Sequence, residues 1–535
     1  MKTTINKISK IFLVIALFSF GCSEDFLQYD QRGVQTVESF YQTDDQVFEA
    51  LMSVFNQWQA GMGFNYIYLH QAMSDESYAG GGARGDNGGT LEELNEYRYS
   101  PSTSIIRDYY SWMYNCINRS NLVVDNTNPD TDNKAMFVAM AKALRGYAYF
   151  FLKNMWGEVP LVLHELNPEE YNQPRTPMAE IDAQIELDFT EAIAVLPVRS
   201  EMPGEYRQLL SKGSVQAMLG KHYLFNEEYD KAASTFQLMI DSGEYDLYPD
   251  YSKVLRKESE HGVESVFELN YASTLGYADA FTGAFGGESG LGGWIIMNGP
   301  RPEYLPAPTF FMLDLFPMSW GFINPHKEMY DAFIEAGDSV RLASNIIGPN
   351  ELAAMGSSYL TPAGFVPYGS DGYLDLKYLG YMSEGNGGDP WTQFSNVGTN
   401  VRMIRYADVL LMAAEAYNRK SSPDDNKAQK YVNEVRARVS LDPVSTTGND
   451  LFNDIKTERK LELAFEGERY MDLQRWGDAY EALKDQGKKV PNGSGGFYEP
   501  QGAGYEQGRD ELLPFPEYEM TVNTALKGQQ NPGYN

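Results

Sequence analysis

The sequence contains few of the residues that form covalent crosslinks or compact metal sites. Among 535 residues there are two cysteines, Cys22 and Cys116, and five histidines. Two cysteines cannot build a disulfide framework or a cysteine-based metal cluster. No nucleophile elbow, local zinc motif or dinucleotide fingerprint occurs, so no cofactor is expected. Whether loop carboxylates bind a metal is not decided by the sequence.

Basic residues and long apolar segments are also scarce. The chain has 43 basic and 74 acidic residues, a formal net charge of −31 and a pI of about 4.5. Nucleic-acid binding requires a basic surface, so nucleic acid is excluded as a partner. After residue 21, no segment approaches the 18 consecutive apolar residues of a membrane-spanning helix.

The N-terminus has the pattern of a lipoprotein leader. Lys2, Lys7 and Lys10 precede the apolar run Ile11–Phe20, which is too short to span a bilayer. Gly21 then precedes Cys22, whose thiol would be lipidated as the first mature residue. We therefore predict a signal peptide over residues 1–21 and a lipid anchor on Cys22. The acidic residues 23–25 resemble a surface-export signal of certain Gram-negative lipoproteins.

Apolar residues at spacings of three and four predict a mainly α-helical protein. The predicted helices cover about 40–58, 105–124, 135–156, 180–196 and 451–476. Residues 211–240 and 406–438 carry a tetratricopeptide-like helix-pair pattern, in which small residues such as Gly220 allow close approach and rings such as Phe236 fill the seam. The expected fold is a helix-pair scaffold, formed by about 36–245 and 400–480, within one domain that covers 22–535.

Two regions lose the helical pattern. Residues 245–400 are rich in glycine, proline and aromatic residues, and residues 74–100 contain the glycine-rich stretch 80–89. Long irregular segments in compact proteins usually carry function. We predict that 245–400, here called the lobe, and the loop 74–100 together form a ligand-binding surface.

Several motifs recur in order along the chain: Cys22 followed by acidic residues, Phe40-Tyr41, and motifs within Ile117–Asn121, Arg145–Leu161, Arg402–Asn418, Glu458–Gly477 and Leu513–Tyr534. Their resemblance to the SusD/RagB family of surface nutrient-binding lipoproteins covers nearly the whole chain. It implies a four-repeat tetratricopeptide-like scaffold with ligand-binding loops. It also implies a lipid anchor in the outer membrane, a position facing the cell exterior and a SusC-like TonB-dependent transporter as partner.

The charged motif over 458–475 has a structural interpretation. Its acidic and basic residues recur at three and four, so we expect them to pair along one face of a helix. A buried arginine–carboxylate network that fixes helix register is an alternative arrangement. Neither arrangement calls for catalysis by these groups.

The loops have the composition that a sugar ligand requires. A planar aromatic side chain covers the apolar face of a sugar, and fixed polar groups bind its hydroxyl edge. Trp112, Trp156 and Trp476 fall in helical patterns or at helix ends, and we assign them to packing. The predicted ligand-binding residues are Tyr277, Trp294, Arg301 and Trp320 in the lobe, with Asp75, Tyr78, Arg84, Asp86 and Asn87 in the first loop.

The predicted function is capture of an oligosaccharide or polysaccharide at the cell surface and its delivery to the transporter, without catalysis. Two alternatives stay open at this stage. Some relatives of the RagB type handle peptides, so the ligand could be a peptide. A glycoside hydrolase needs only two positioned carboxylates, which 74 acidic residues can supply.

Overall fold

The computed structural model describes most of the chain after residue 36. The described residues are 37–271, 298–301, 305, 309, 312–315, 319–356, 367–379, 381–384 and 398–534, without the side chains of 37, 38 and 64. The leader with Cys22, and the candidate rings Tyr277 and Trp294, lie outside the described residues. The predictions made for them stay predictions.

The described part is mainly α-helical, as predicted. Its α-helices are α1 (Val37–Phe40), α2 (Asp44–Gly61), α3 (Leu69–Ala72), α4 (Thr90–Asn95), α5 (Ser104–Asn126), α6 (Asp132–Trp156), α7 (Met178–Val195), α8 (Lys212–Phe225), α9 (Tyr229–Asp241), α10 (Lys327–Glu335), α11 (Ser339–Asn345), α12 (Pro349–Ala354), α13 (Tyr406–Arg419), α14 (Asp425–Arg438), α15 (Gly448–Glu462), α16 (Arg469–Trp476), α17 (Ala479–Leu483) and α18 (Glu517–Val522). A π-helix, Met62–Tyr68, joins α2 to α3.

Consecutive long helices pack on each other and form the scaffold. Helix α6 packs against both α5 and α7, α8 packs against α9, and α13 packs against α14. Helix α9 also packs on α13, which joins the two predicted repeat pairs. The tetratricopeptide-like scaffold is thereby confirmed.

The longest helix of the scaffold, α6, is a core element. Among the described residues it alone is long and apolar enough to cross a membrane, yet 83% of its most apolar window is buried. Trp156 at its end and Trp112 of α5 are buried among other rings, so their predicted packing role is confirmed. Burial of this kind explains the apolar composition of α6 without a membrane.

The seam between α8 and α9 shows why the repeat needs a small residue. A Cβ atom added at Gly220 would lie 2.4 Å from Cε1 of Phe236. Both residues are buried, so the ring has no free space into which it could move. The small residue and the ring therefore act as the matched pair that the repeat pattern predicted.

Two sequence predictions were wrong in detail. The single helix over 451–476 is two helices, because α15 ends at Glu462 and α16 begins at Arg469. Between them Phe465 and Gly467 have φ values of 62° and 85°, which a right-handed helix cannot contain. The lobe is also more regular than its composition indicated, since α10, α11 and α12 lie within it.

Short antiparallel strand pairs attach the irregular segments to the scaffold. The described strands form four pairs: β1 (Ser77–Ala79) with β3 (Ile323–Pro325), β2 (Ser265–Leu269) with β6 (Val401–Arg405), β4 (Ile346–Ile347) with β5 (Leu374–Asp375), and β7 (Val490–Pro491) with β8 (Phe497–Tyr498). The first pair joins the loop 74–100 to the lobe. The second joins both ends of the lobe at the start of α13.

The seam between α8 and α9 generates a stability prediction. Gly220→Val should lower the free energy of unfolding by about 1–3 kcal/mol, because the larger side chain overpacks the contact with Phe236. The measurement is urea unfolding followed by circular dichroism. Gly204→Val is the matched control, since a Cβ at Gly204 meets no atom within 4 Å. Equal losses of unfolding free energy in Gly220→Val and Gly204→Val would contradict the close packing of Gly220 against Phe236.

Candidate ligand-binding site

A buried network of ion pairs, centred on Glu462 at the end of α15, joins the scaffold to the lobe that carries predicted ligand residues. Its carboxylate pairs with Arg405 of β6 and with Arg341 of α11, each at 3.0 Å, and with Arg438 of α14. The side chains of Glu462 and these three arginines are almost fully buried. The partners of Glu462 come from other elements, as the buried-network alternative predicted, while pairing along one helix occurs within the motif between Asp472 and Arg475 at 2.8 Å.

The network extends into the lobe and towards the next helix. Glu466, in the turn before α16, pairs with Arg405 and with Lys377 of the lobe, both at 2.6 Å. Burial opposes the charge on Glu462, but Arg438, Arg405 and Arg341 outweigh it and hold its pKa well below the usual range. The network is thus built of ionised groups that neutralise one another.

The base of the loop 74–100 is attached to the same C-terminal elements. Asp75 accepts hydrogen bonds from Nε and Nη2 of Arg469, at 2.7 and 2.9 Å, and from Nζ of Lys460 at 3.3 Å. Burial alone would raise the pKa of Asp75, but Arg469 and Lys460 lower it well below the usual range. Because these contacts occupy Asp75, we leave it out of the proposed ligand surface.

Tyr78 also belongs to the base of the loop. It lies in β1 opposite Asn324 of β3, and its half-buried ring packs at 4.0 Å, between ring centroids, from His326. Burial raises the pKa of the Tyr78 hydroxyl, and Asp371 raises it further. Tyr78 therefore packs the loop against the lobe, and it stays a candidate only at the edge of the surface.

The glycine-rich stretch 80–89 is folded on itself by local hydrogen bonds. The amide of Gly82 donates to Oδ2 of Asp86 at 2.8 Å, and the amide of Gly85 donates to Oε1 of Glu92 at 2.8 Å. The buried Asn87 donates from Nδ2 to the carbonyl of Gly80 at 3.1 Å. Asp86 and Asn87 thus shape the loop whether or not a ligand is present.

Arg84 projects from this stretch towards a second segment that the sequence analysis overlooked. Its guanidinium donates to Oε1 and Oε2 of Glu96, at 2.5 and 2.9 Å, and to the hydroxyl of Tyr368 at 2.6 Å. The same guanidinium lies 4.0 Å from the ring centroid of Tyr498. Stacking of this kind fixes both the cation and the ring.

Tyr498 and its neighbour Phe497 are the exposed rings of the β7–β8 hairpin. Their exposed fractions are 37% and 59%. The hairpin is attached to the lobe, because the amide of Gly369 donates to the carbonyl of Pro491 at 2.8 Å. The signal was visible in the sequence: Gly495 and Gly496 precede these rings, as two glycines precede Trp294.

Arg301 closes the other side of the loop. Its Nη1 donates to Oδ2 of Asp86 at 2.8 Å and to the carbonyl of Trp320 at 3.4 Å. A Cβ at Gly82 would lie 2.7 Å from the guanidinium carbon of Arg301, so a larger residue there would displace this guanidinium. Trp320 is half-buried and packs on Phe322 at 5.3 Å between ring centroids, so one part of its surface is used in packing.

One surface therefore brings together five of the predicted residues and two that were missed. These residues are Arg84, Asp86, Asn87, Arg301, Trp320, Tyr368 and Tyr498, and we call them the loop surface. Asn87 and Tyr368 are buried supports of this surface, and its partly exposed groups are the rings of Trp320 and Tyr498 with the polar groups of Arg84, Asp86 and Arg301. Within the described residues no group of three or more His, Cys, Asp or Glu side chains has the geometry to hold a metal ion.

Two family models match this chain, one in its C-terminal part and one in its N-terminal part. Residues 368–534 match the SusD family, and residues 51–224 match a family described as starch-binding and associating with the outer membrane. The chain belongs to the SusD/RagB family. The resemblance seen in the sequence motifs is thereby confirmed.

Curated SusD-like relatives span the whole chain. SusD-like protein P2 of Formosa agariphila is 27% identical over 98% of this chain and 99% of its own length. SusD-like protein P25 of the same organism is 24% identical over 99% of both chains.

Solved SusD-like structures share the fold. A laminarin-binding SusD-like protein is 29% identical, with a TM-score of 0.77 over 92% of this chain and all of its own. Surface glycan-binding protein A of Bacteroides thetaiotaomicron is 23% identical, with a TM-score of 0.74 over 92% of this chain and 99% of its own.

The base of the loop generates a pH prediction. Burial, and then the charge of Asp75, raise the pKa of Glu76 from 4.5 to about 8, although Arg469 and Lys460 oppose them. Because the pKa of Glu76 in the folded protein lies above its ordinary value of 4.5, this carboxyl group contributes stability that is fully present below pH 4.5. That contribution is lost as the pH rises through about 8. Glu76→Gln should therefore gain stability relative to the wild type between pH 5 and pH 9.

The measurement is urea unfolding of both proteins at the two pH values. Glu49→Gln, at an exposed position on α2, is the control and should show no such gain. A stability difference between Glu76→Gln and the wild type that is the same at both pH values would contradict the buried, protonated carboxyl.

Proposed function

We propose that the chain binds a glycan on the loop surface, as a lipid-anchored protein of the outer membrane that faces the cell exterior. The observation that carries the proposal is the pairing of an exposed ring, Tyr498, with the fixed guanidinium of Arg84 on a fold shared with a laminarin-binding protein. Tyr277 and Trp294 are proposed as further ligand contacts on sequence grounds.

The chemistry of the loop surface fits a sugar. The ring of Tyr498 offers a flat apolar face, and burying apolar C–H area against it is favourable. Beside it, the buried Tyr368 and the carboxylate of Glu96 hold the partly exposed guanidinium N–H groups of Arg84 in fixed positions. Hydroxyl edges of a sugar can exchange hydrogen bonds with such groups at little cost in side-chain entropy.

The family context supports the location in the outer membrane. One matching family model is described as starch-binding and associating with the outer membrane, and the leader with Cys22 fits a lipid anchor. We propose that the bound glycan passes to a SusC-like TonB-dependent transporter. Tethering beside the transporter raises the effective concentration of a ligand that is held with modest affinity.

We propose binding without hydrolysis. A glycoside hydrolase presents one proton-donating and one ionised carboxyl group to the bond that it cleaves. Around the loop surface, Asp86 binds Arg301 and Glu96 binds both Arg84 and Arg98, while Glu92 is buried and accepts from the amide of Gly85. An ionised carboxylate in an arginine pair is a poor proton donor.

The Tyr498 ring tests the proposal. Tyr498→Ala should weaken binding of a recognised glycan about tenfold, equal to about 1.4 kcal/mol, because the stacking face is lost. Affinity is measured by isothermal titration after a glycan panel, including laminarin and starch, has identified a ligand. Tyr171→Ala, which removes an exposed ring from the segment between α6 and α7, should leave affinity unchanged.

Three results would contradict the proposal. The first is binding of peptides without binding of any glycan. The second is release of new reducing ends from a glycan by the purified protein. The third is an equal loss of affinity in Tyr171→Ala and Tyr498→Ala, which would place the ligand elsewhere.

A further inference from the structure

The loop surface contains two arginines, and each of them is paired with an acidic residue. Arg84 makes a bidentate pair with Glu96, which also pairs with Arg98, and Arg301 pairs with Asp86 at 2.8 Å. Glu92 adds a third carboxylate, which accepts from the amide of Gly85. An incoming anion would have to compete with these carboxylates for each guanidinium.

The lobe supplies little other positive charge. Residues 245–400 contain nineteen acidic and seven basic residues, and the latter are Lys253, Arg256, Lys257, Arg301, Lys327, Arg341 and Lys377. Lys253 pairs with Glu258, Arg256 pairs with Glu384, and Nζ of Lys257 donates to the carbonyl of Glu384. Arg341 and Lys377 are buried in the Glu462 network, and Lys327 pairs with Asp331 on its own helix. This count comes from the complete sequence, so it holds for every part of the lobe.

The β7–β8 hairpin does not change the balance of positive and negative charge around the loop surface. Lys489 is exposed immediately before β7, and Glu499 is exposed immediately after β8. Their charges offset each other beside Phe497 and Tyr498. Lys488, further from the rings, pairs with Asp485 at 3.0 Å.

From this charge arrangement we propose that the loop surface selects uncharged glycans over sulfated or uronate-rich ones. The inference rests on the proposed glycan-binding function and adds the ligand class. A sulfate or carboxylate group needs charge-assisted hydrogen bonds from a cation to offset its desolvation. Here such a group would meet paired arginines within a strongly acidic lobe, and the repulsion would extend over about a Debye length of 8 Å.

The first experiment compares glycans that share a backbone and differ in charge. The pairs are laminarin with chemically sulfated laminarin, and methyl-esterified homogalacturonan with its de-esterified form. For a recognised backbone, the uncharged member should bind at least tenfold more tightly at low salt. The difference should shrink as salt is added, because salt screens the repulsion.

A second experiment uncovers one guanidinium. Asp86→Asn keeps an oxygen that can accept from the amide of Gly82 but removes the charge that neutralises Arg301. The affinity for the anionic member of each pair should rise several-fold, and the gain should be lost at high salt. Asp331→Asn changes the net charge equally but uncovers Lys327 on α10, and it should give no gain.

The outcomes separate the two proposals. If the anionic member binds as tightly as its uncharged counterpart or more tightly, glycan binding stands and the selectivity is overturned. If neither Asp86→Asn nor the wild type distinguishes the members of a recognised pair, the selectivity is also overturned. If no glycan in the panel binds, the proposed function itself fails and the selectivity fails with it.

Discussion

The architecture depends on one buried carboxylate, Glu462, and on the cations that surround it. Arg341 arrives from the lobe, Arg405 from the strand that ends the lobe, and Arg438 from the scaffold. The backbone carbonyl of Glu462 also accepts from Nζ of Lys377 at 2.9 Å. Removing one member of such a network leaves a buried charge uncompensated, which costs about 3–5 kcal/mol. The network therefore holds segments that are far apart in the chain in one arrangement.

The loop surface is connected to this network through a series of side-chain contacts. The turn between α15 and α16 follows Glu462 directly, and Arg469 at the start of α16 binds Asp75 at the base of the loop 74–100. The loop in turn reaches Arg301 through Asp86, and it reaches Tyr368 through Arg84. Rings and polar groups fixed before binding lose little entropy when a ligand arrives. A weakly interacting sugar can then be held by few contacts.

The sequence predicted the scaffold better than the surface, for physical reasons. Helix pairs follow local rules of spacing, so Gly220 and Phe236 could be placed against each other from the repeat pattern alone. The position of the break at Phe465 was missed because a phenylalanine does not predict a left-handed backbone; Gly467, which also has a positive φ, was the signal in the sequence. Tyr498 joins Arg84 only through contacts between segments more than 400 residues apart. Asp75 is a polar loop residue of the type that can bind a sugar hydroxyl, but only the structure shows that Arg469 already binds it.

The most direct test of this account is a crystal structure of the soluble chain with a bound oligosaccharide that titration has identified. The account predicts intact sugar rings against Tyr498 and the loop 80–89, with the scaffold helices unmoved. Sugar density on the outer faces of the scaffold helices, with the loop surface empty, would contradict it.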